Sequence, residues 1–188
     1  MSRGFAQDIE PALLRAAKRG DHGAQAEIYR RFGPAAFTLA RRLVKRHDVA
    51  EELLQEAFLD VLRRIGSFRG EAPLGAWIRR IVMNRCLMFL RSYWEQNNEE
   101  LPEEVHADQV PTPDMHLEQL DLVKMLDALP AVSRAVVWLH DVEGYTHEEI
   151  GQMLDKSTSF SKSQLARAYQ RLRQAATEVE SCTQQPAS

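Results

Sequence analysis

Apolar residues recur at intervals of three and four along almost all of this chain, and nowhere do they alternate over the length of a strand. That periodicity restricts the fold to helices packed on helices, because each element offers one apolar stripe that must be covered by another. Asp21 is placed to N-cap a long helix running to about Lys45, with Ile28, Phe32, Ala35 and Leu39 on one stripe. A second helix is expected from about Val49 to Ile65, turning Leu53, Leu54, Ala57, Val61 and Leu62 inward, with Gly66 and Ser67 ending it. After a short loop, 68–73, a third runs from about Leu74 to Tyr93.

Past Trp94 the composition changes. The run EQNNEELPEEVHADQVPTPDMH holds three prolines and seven acids and no Lys or Arg, which predicts a linker. Helicity resumes near Leu117, and Pro130 separates a helix over 117–129 from one over about 131–142. Gly144 breaks the latter. Thr146 and Glu149 then form a capping box for a short helix that turns Ile150, Met153 and Leu154 inward. DKSTS is a turn, and a last helix runs from about Ser159 to Thr177. The polar tail after Glu180 is expected to be disordered. The expected fold is all-α: two small helical domains, 1–94 and 117–180, joined by an acidic flexible linker at 95–116 and followed by a tail at 181–188.

The net charge of −3 conceals a segregated pattern. Residues 1–91 carry 17 Lys/Arg against 10 Asp/Glu, residues 92–121 carry nine acids and no base, and residues 122–188 are near balance. Within the first segment, 48–60 has five acids and no base, while 61–91 has seven arginines and one acid, with Phe68, Trp77 and Phe89 interleaved. An acidic helix suits a basic protein surface, and a basic, aromatic segment suits unstacked nucleic acid.

Catalytic signals are poor. His147-Glu148-Glu149 begins like HExxH, but Gly151 stands where the second histidine belongs. No Gly-rich phosphate loop and no GxSxG occurs. Cys86 and Cys182 make neither a CxxC pair nor a zinc spacing, which fits a reduced, cytoplasmic setting. Cys86, on an apolar helix face, is expected to be a buried thiol. The charged N-terminus is not a signal peptide, and no apolar run approaches ~18 residues, so no membrane insertion is expected. No catalytic residue, metal ligand or cofactor is expected, and the chain is not read as an enzyme.

Three groups of residues remain as candidate interfaces. Asp48, Glu51, Glu52, Gln55 and Glu56 flank the apolar stripe of their helix and, taken alone, are best explained as a solvated face. Trp77, Arg80, Asn84 and Arg91 share a helix face. There Asn can bond a base edge, Arg can meet phosphate or stack on a base, and Phe68 can stack on an unpaired one. Core packing is the preferred reading for Trp77, and a solvated face or phosphate contact for Arg79 and Arg85. In the last helix Leu165, Ala168 and Leu172 fall on one side and Phe160, Ser163, Gln164, Arg167 and Arg171 on the other. Five bases and no acid lie between Lys156 and Arg173. A capped short helix, a tight turn and a second helix make the spacing of a helix-turn-helix.

In order, AEELLQEAFL (50–59), SFRG (67–70), the W-I-R-R-I-x-x-N run (77–84) and LR (90–91) resemble region 2 of the extracytoplasmic-function (ECF) group of bacterial RNA polymerase sigma factors. LPAVSRAVVWLHDVEGYTHEEIGQML (129–154) followed by SKSQLARAYQRLR (161–173) resembles their region 4. The resemblance implies a subunit that binds core RNA polymerase through its β′ and β subunits, directs it to promoter DNA and assists melting. It implies polymerase contacts at Asp48, Glu51, Glu52, Leu54, Gln55, Glu56 and Phe58. Capture of the melted minus-ten strand would fall to Phe68, Arg69, Arg80 and Asn84. Ser159, Lys162, Ser163, Gln164, Arg167 and Arg171 would lie on the minus-thirty-five element. The acidic linker would thread into the polymerase near the RNA path, and an anti-sigma factor would clamp both domains. Four places depart from the family pattern: Asp155-Lys156 where a small Gly-Ile pair is usual, Ser159 and Phe160 where a Gly often begins the recognition helix, Met88 where an acid is frequent, and Leu74 where an aromatic is frequent. Phe160 is placed either against a thymine methyl or under the turn.

Overall fold

A computed structural model of the chain describes residues 3–96 and 125–183, which divide into two compact units, Met1–Tyr93 and Trp94–Ser188. Most of the expected linker, most of the helix expected over 117–129 and the end of the tail lie outside the described residues. Among the described residues there is no strand, and no helix is long and apolar enough to cross a membrane.

The first unit begins with α1, Pro11–Lys18, which the charged N-terminal sequence hides. Pro11 sits in its first turn, where a missing N–H costs nothing, and the helix packs on α2, His22–Val44, burying Ala17. Asp21 caps α2 as expected, its carboxylate accepting from the Ala24 amide at 2.7 Å. The buried stripe of α2 is Ile28, Phe32, Ala36, Leu39 and Leu43; Ala36 takes the inward place expected of Ala35, which is only half-buried. The helix continues through Pro34, beside which Thr38 Oγ1 donates to the Pro34 carbonyl at 2.8 Å.

Against α2 lies α3, His47–Arg64, which runs into a 3-10 turn, Ile65–Ser67. It buries Val49, Ala50, Leu53, Leu54, Ala57, Phe58 and Val61, while Leu62 is only half-buried. Helix α4, Leu74–Gln96, extends beyond the Tyr93 end that the sequence suggests. It starts at a close approach, for a Cβ on Gly75 would run into the Phe5 carbonyl and lie 2.9 Å from the Phe32 ring. Cys86 is fully buried on α4, and that burial pushes its thiol up to about 12, so it is an inert core residue.

In the second unit residues 125–128 are helical, and α5, Ala131–Val137, follows Pro130 and continues as a π-helical turn, Trp138–Val142. Helix α6, His147–Leu154, carries the expected capping box: Glu149 Oε2 accepts from the Thr146 amide at 2.8 Å, and the Glu149 amide donates to Thr146 Oγ1 at 3.2 Å. Asp155 closes it in the left-handed conformation (φ 56°, ψ 45°), and the Lys156 amide returns to the Gly151 carbonyl at 2.9 Å. A Cβ on Gly151 would stand 2.8 Å from the Lys156 carbonyl oxygen, so the tight turn needs that glycine. The last helix, α7, Thr158–Thr183, packs against both α5 and α6.

Candidate nucleic-acid and protein interfaces

On α3 the acids Asp48, Glu51 and Glu52, with Gln55 and Glu56, are all exposed along one face. Asp48 pairs with Arg46 at 2.6 Å, and that hydrogen bond holds its carboxyl below the ordinary carboxylate range. Glu51 lies 3.3 Å from the His47 ring. Two residues expected on this face are elsewhere. Leu54 and Phe58 are buried, Phe58 with its ring edge-on to Tyr29 at 4.8 Å, because both belong to the stripe that meets α2. The apolar residue that does stand among the acids is Leu59, 52% exposed and four positions from Gln55. Its signal was available: it falls off the stripe formed by Leu54, Ala57, Phe58 and Val61.

The expected strand-capture residues separate in the same way. Arg69, Arg80 and Asn84 are exposed; Arg69 lies 3.7 Å from Glu71. Phe68 faces inward. It is 8% exposed, lies against Trp77 at 5.2 Å, faces the Lys18 ammonium at 5.6 Å, and its carbonyl accepts from Lys18 Nζ at 2.6 Å. It anchors the loop, and the half-buried Trp77 supports it. Met88, 55% exposed and four residues beyond Asn84, continues the exposed stripe of α4 instead.

Between these two faces runs an ion pair. Asp60 is 7% exposed, and its Oδ2 accepts from Arg85 Nε at 2.7 Å and also from Arg85 Nη2. Arg85 Nη1 stands 3.5 Å from Glu56, and Arg63 lies 3.8 Å from the other Asp60 oxygen. Arg85 is therefore tied to α3 and is not the solvated face expected for it. A buried carboxylate needs such a partner to avoid an uncompensated desolvation cost.

In the second unit Ser159, Lys162 and Arg171 are exposed, and Arg167 is half-buried. Ser163 and Gln164, expected in the groove, are buried at 3% and 4% exposure. Ser163 Oγ donates to the Phe160 carbonyl at 2.9 Å, and Gln164 Oε1 accepts from Ser133 Oγ at 2.9 Å. The cause is the double contact of α7. With α5 and α6 both against it, its covered arc includes Ser161 and Gln164 as well as Leu165, Ala168, Tyr169 and Leu172. Phe160 is half-buried. Gln170 and Arg173 share the open face with Ser159 and Lys162, at successive spacings of three, eight and three residues, and polarity alone did not separate them from their neighbours.

At the junction of the π turn, α6 and α7, the His140 and His147 rings stack at 4.5 Å. Asp141 accepts from Tyr169 Oη at 2.9 and 3.0 Å and lies 2.8 Å from His140 Nδ1, while His147 Nδ1 is 3.0 Å from Ser161 Oγ. Burial, with the neighbouring His140 and Lys162, lowers the His147 pKa. Among the described residues no group of three or more His, Cys, Asp or Glu is arranged to hold a metal ion.

Residues 28–96 match sigma-70 region 2, and residues 119–172 match sigma-70 region 4. The chain is 34% identical over 165 residues to the ECF RNA polymerase sigma factor SigE of Mycolicibacterium smegmatis, with 82% of this chain and 63% of that protein covered. It therefore spans less than two thirds of that relative. It is 33% identical to the ECF RNA polymerase sigma factor SigM of Mycobacterium tuberculosis, with 85% of this chain and 81% of that protein covered. The solved structure of the sigma factor RpoE with the anti-sigma factor NepR, from Bartonella quintana, shares its fold at a TM-score of 0.50 and 23% identity, covering 81% of this chain and 96% of that one. Both family regions occur in order, and the similarity to SigM extends over most of both proteins. The chain belongs to the ECF group of RNA polymerase sigma factors.

Proposed function

We propose that this sigma factor holds core RNA polymerase through the exposed face of α3 and captures one melted promoter strand with the exposed stripe of α4. Asp48, Glu51, Glu52, Gln55 and Glu56 supply charge complementarity to a basic polymerase surface, and Leu59 adds an apolar contact at its C-terminal end. Arg69, Arg80 and Asn84 meet the minus-ten strand, with Met88 extending the stripe. Ser159, Lys162, Arg167 and Arg171, joined by Gln170 and Arg173, face the minus-thirty-five element. Phosphate contacts supply affinity without sequence information, and side chains on base edges supply the choice of promoter.

The observation that carries this reading is the acidic stripe and the arginine-asparagine stripe on adjacent helices of one unit, joined by the Asp60–Arg85 pair. A duplex-binding regulator that works without polymerase has no use for the first stripe. Melting needs a surface that prefers splayed bases to the duplex, and stacking contacts are worth ~1–3 kcal/mol per base. With Phe68 turned inward, that work falls to the Arg69 and Arg80 guanidinium planes and the Asn84 amide. The protein acts in the cytoplasm, without chemistry of its own, and an anti-sigma factor blocks it by covering these same surfaces.

In vitro transcription with core polymerase on a template library, with and without this chain, tests the whole reading; absence of promoter-specific initiation sinks it. Glu52→Lys tests the docking face. Polymerase affinity is expected to fall about tenfold or more while recognition of minus-thirty-five DNA persists. Unchanged polymerase affinity would remove α3 from the interface. A pull-down from native extract that recovers only core polymerase would count against the anti-sigma partner.

A further inference from the structure

We propose that Arg85 is a positioning residue that sets the strand-capture face of α4 against the docking face of α3, so that its loss impairs promoter opening more than polymerase binding. The inference rests on the docking and strand-capture reading above. Arg85 follows Asn84 directly, and one residue is a step of about 100° round a helix. It therefore stands at the edge of the exposed stripe that holds Arg80 and Asn84 rather than within it. Its guanidinium crosses to α3 and divides between two acids. Nε and Nη2 both donate to Oδ2 of buried Asp60, and Nη1 lies 3.5 Å from the half-exposed Glu56. Asp60 is four residues from Glu56, so both acids lie on the edge of α3 that turns toward α4.

This arrangement differs from an ordinary surface ion pair in three ways. One partner is buried, the planar fork fixes direction as well as distance, and the second acid belongs to the docking face itself. Apolar packing between helices permits sliding and rotation by fractions of an ångström. A forked guanidinium on a buried carboxylate does not. A basic polymerase surface that engages Glu56 acts on a carboxylate already in reach of Arg85, so docking is felt next to Asn84.

The test uses the full chain with core polymerase and a promoter fragment recovered from the template library. Polymerase affinity is read by fluorescence anisotropy, and opening by permanganate reactivity of unpaired thymines per bound polymerase. Arg85→Gln alone leaves buried Asp60 with only the longer contact to exposed Arg63, and is expected to lower the melting temperature. Asp60→Asn with Arg85→Gln removes that charge. It is expected to restore the melting temperature and to hold polymerase affinity within about threefold, while opening stays about tenfold low, the scale of a small misplacement of reacting groups. Opening that recovers together with the melting temperature would overturn the proposal, since a purely structural role predicts that result. Equal loss of affinity and opening would overturn it too. Should the double variant also be unstable, Arg85→Lys decides. It keeps a cation on Asp60 but gives up the fork to Glu56, so reduced opening in a stable protein supports the proposal and wild-type opening rejects it. Glu52→Lys and Asn84→Ala run beside these variants. If they affect neither binding nor opening, the underlying assignment of the two faces has failed, independently of Arg85.

Discussion

The two units of this sigma factor use polar side chains differently. In the first, the helices that carry the candidate interfaces cover one side and leave the other open, so charge marks the surface with one exception, the Asp60–Arg85 pair. In the second, α7 is covered by both α5 and α6, and Ser161, Ser163 and Gln164 are drawn inside to bond His147, Phe160 and Ser133. Polarity is a poorer guide to exposure the more of a helix its neighbours cover. A helix that is the central strut of a small domain spends part of its polar surface on its own fold.

The largest test compares the two glycines at close approaches. Gly75→Ala drives a methyl into the Phe5 carbonyl and the Phe32 ring, which are core, and is expected to cost the first unit about 2–3 kcal/mol. Gly151→Ala meets only the exposed turn at Lys156 and Ser157, which can shift, and is expected to cost the second unit about 1 kcal/mol. Amide hydrogen exchange assigns each loss to its unit; equal losses would mean that both approaches are equally rigid.

Next comes the contrast within α7. Gln164→Ala strands the Ser133 hydroxyl and is expected to lower second-unit stability by about 1–3 kcal/mol. Lys162→Ala is expected to leave stability unchanged and to reduce the salt dependence of DNA binding by about one ion. A Gln164 variant with wild-type exchange protection but weakened DNA binding would return that residue to the groove.

Asp155→Gly relieves a left-handed backbone that a Cβ disfavours. It is expected to stabilise the second unit by up to about 1 kcal/mol, read as a raised melting temperature. A fall would mean that the Asp155 side chain contributes more than its strain removes.

The smallest effect is a pH dependence confined to the second unit. Burial, with the neighbouring His140 and Lys162 and against the opposing charge of Asp141, lowers the His147 pKa. Both folded and unfolded forms are neutral above about pH 6.5. As pH falls below that value the unfolded chain takes up the proton first, so stability falls and then levels off once the folded form protonates. Exchange protection around α6 is expected to weaken from pH 7 toward 5.5, and His147→Gln to flatten that profile.

Much of the fold was legible because its signals are local. Helix starts at Asp21 and Thr146, the break at Pro130 and the buried stripes of α2 and α3 all depend on residues within four positions of one another. Helix α1 was missed because its charges mask a short amphipathic pattern behind Pro11. The candidate site was legible where exposure followed from the stripe: Glu52, Gln55, Arg80 and Asn84 stand on open faces. At Phe58, Phe68 and Gln164 the burial was not legible, because the neighbour that covers each lies on another element.

By itself, the sequence determined an all-helical chain with two families of motifs in order, and through them the ECF sigma factor group. Periodicity, capping and motif order are properties of the chain read along its length. The tertiary structure decided which residues of each motif face outward, that Phe68 is an anchor, and that Asp60 and Arg85 meet across 25 residues of sequence. Those outcomes depend on which side of each helix a second helix covers. Burial is a relation between elements, and no single element carries it.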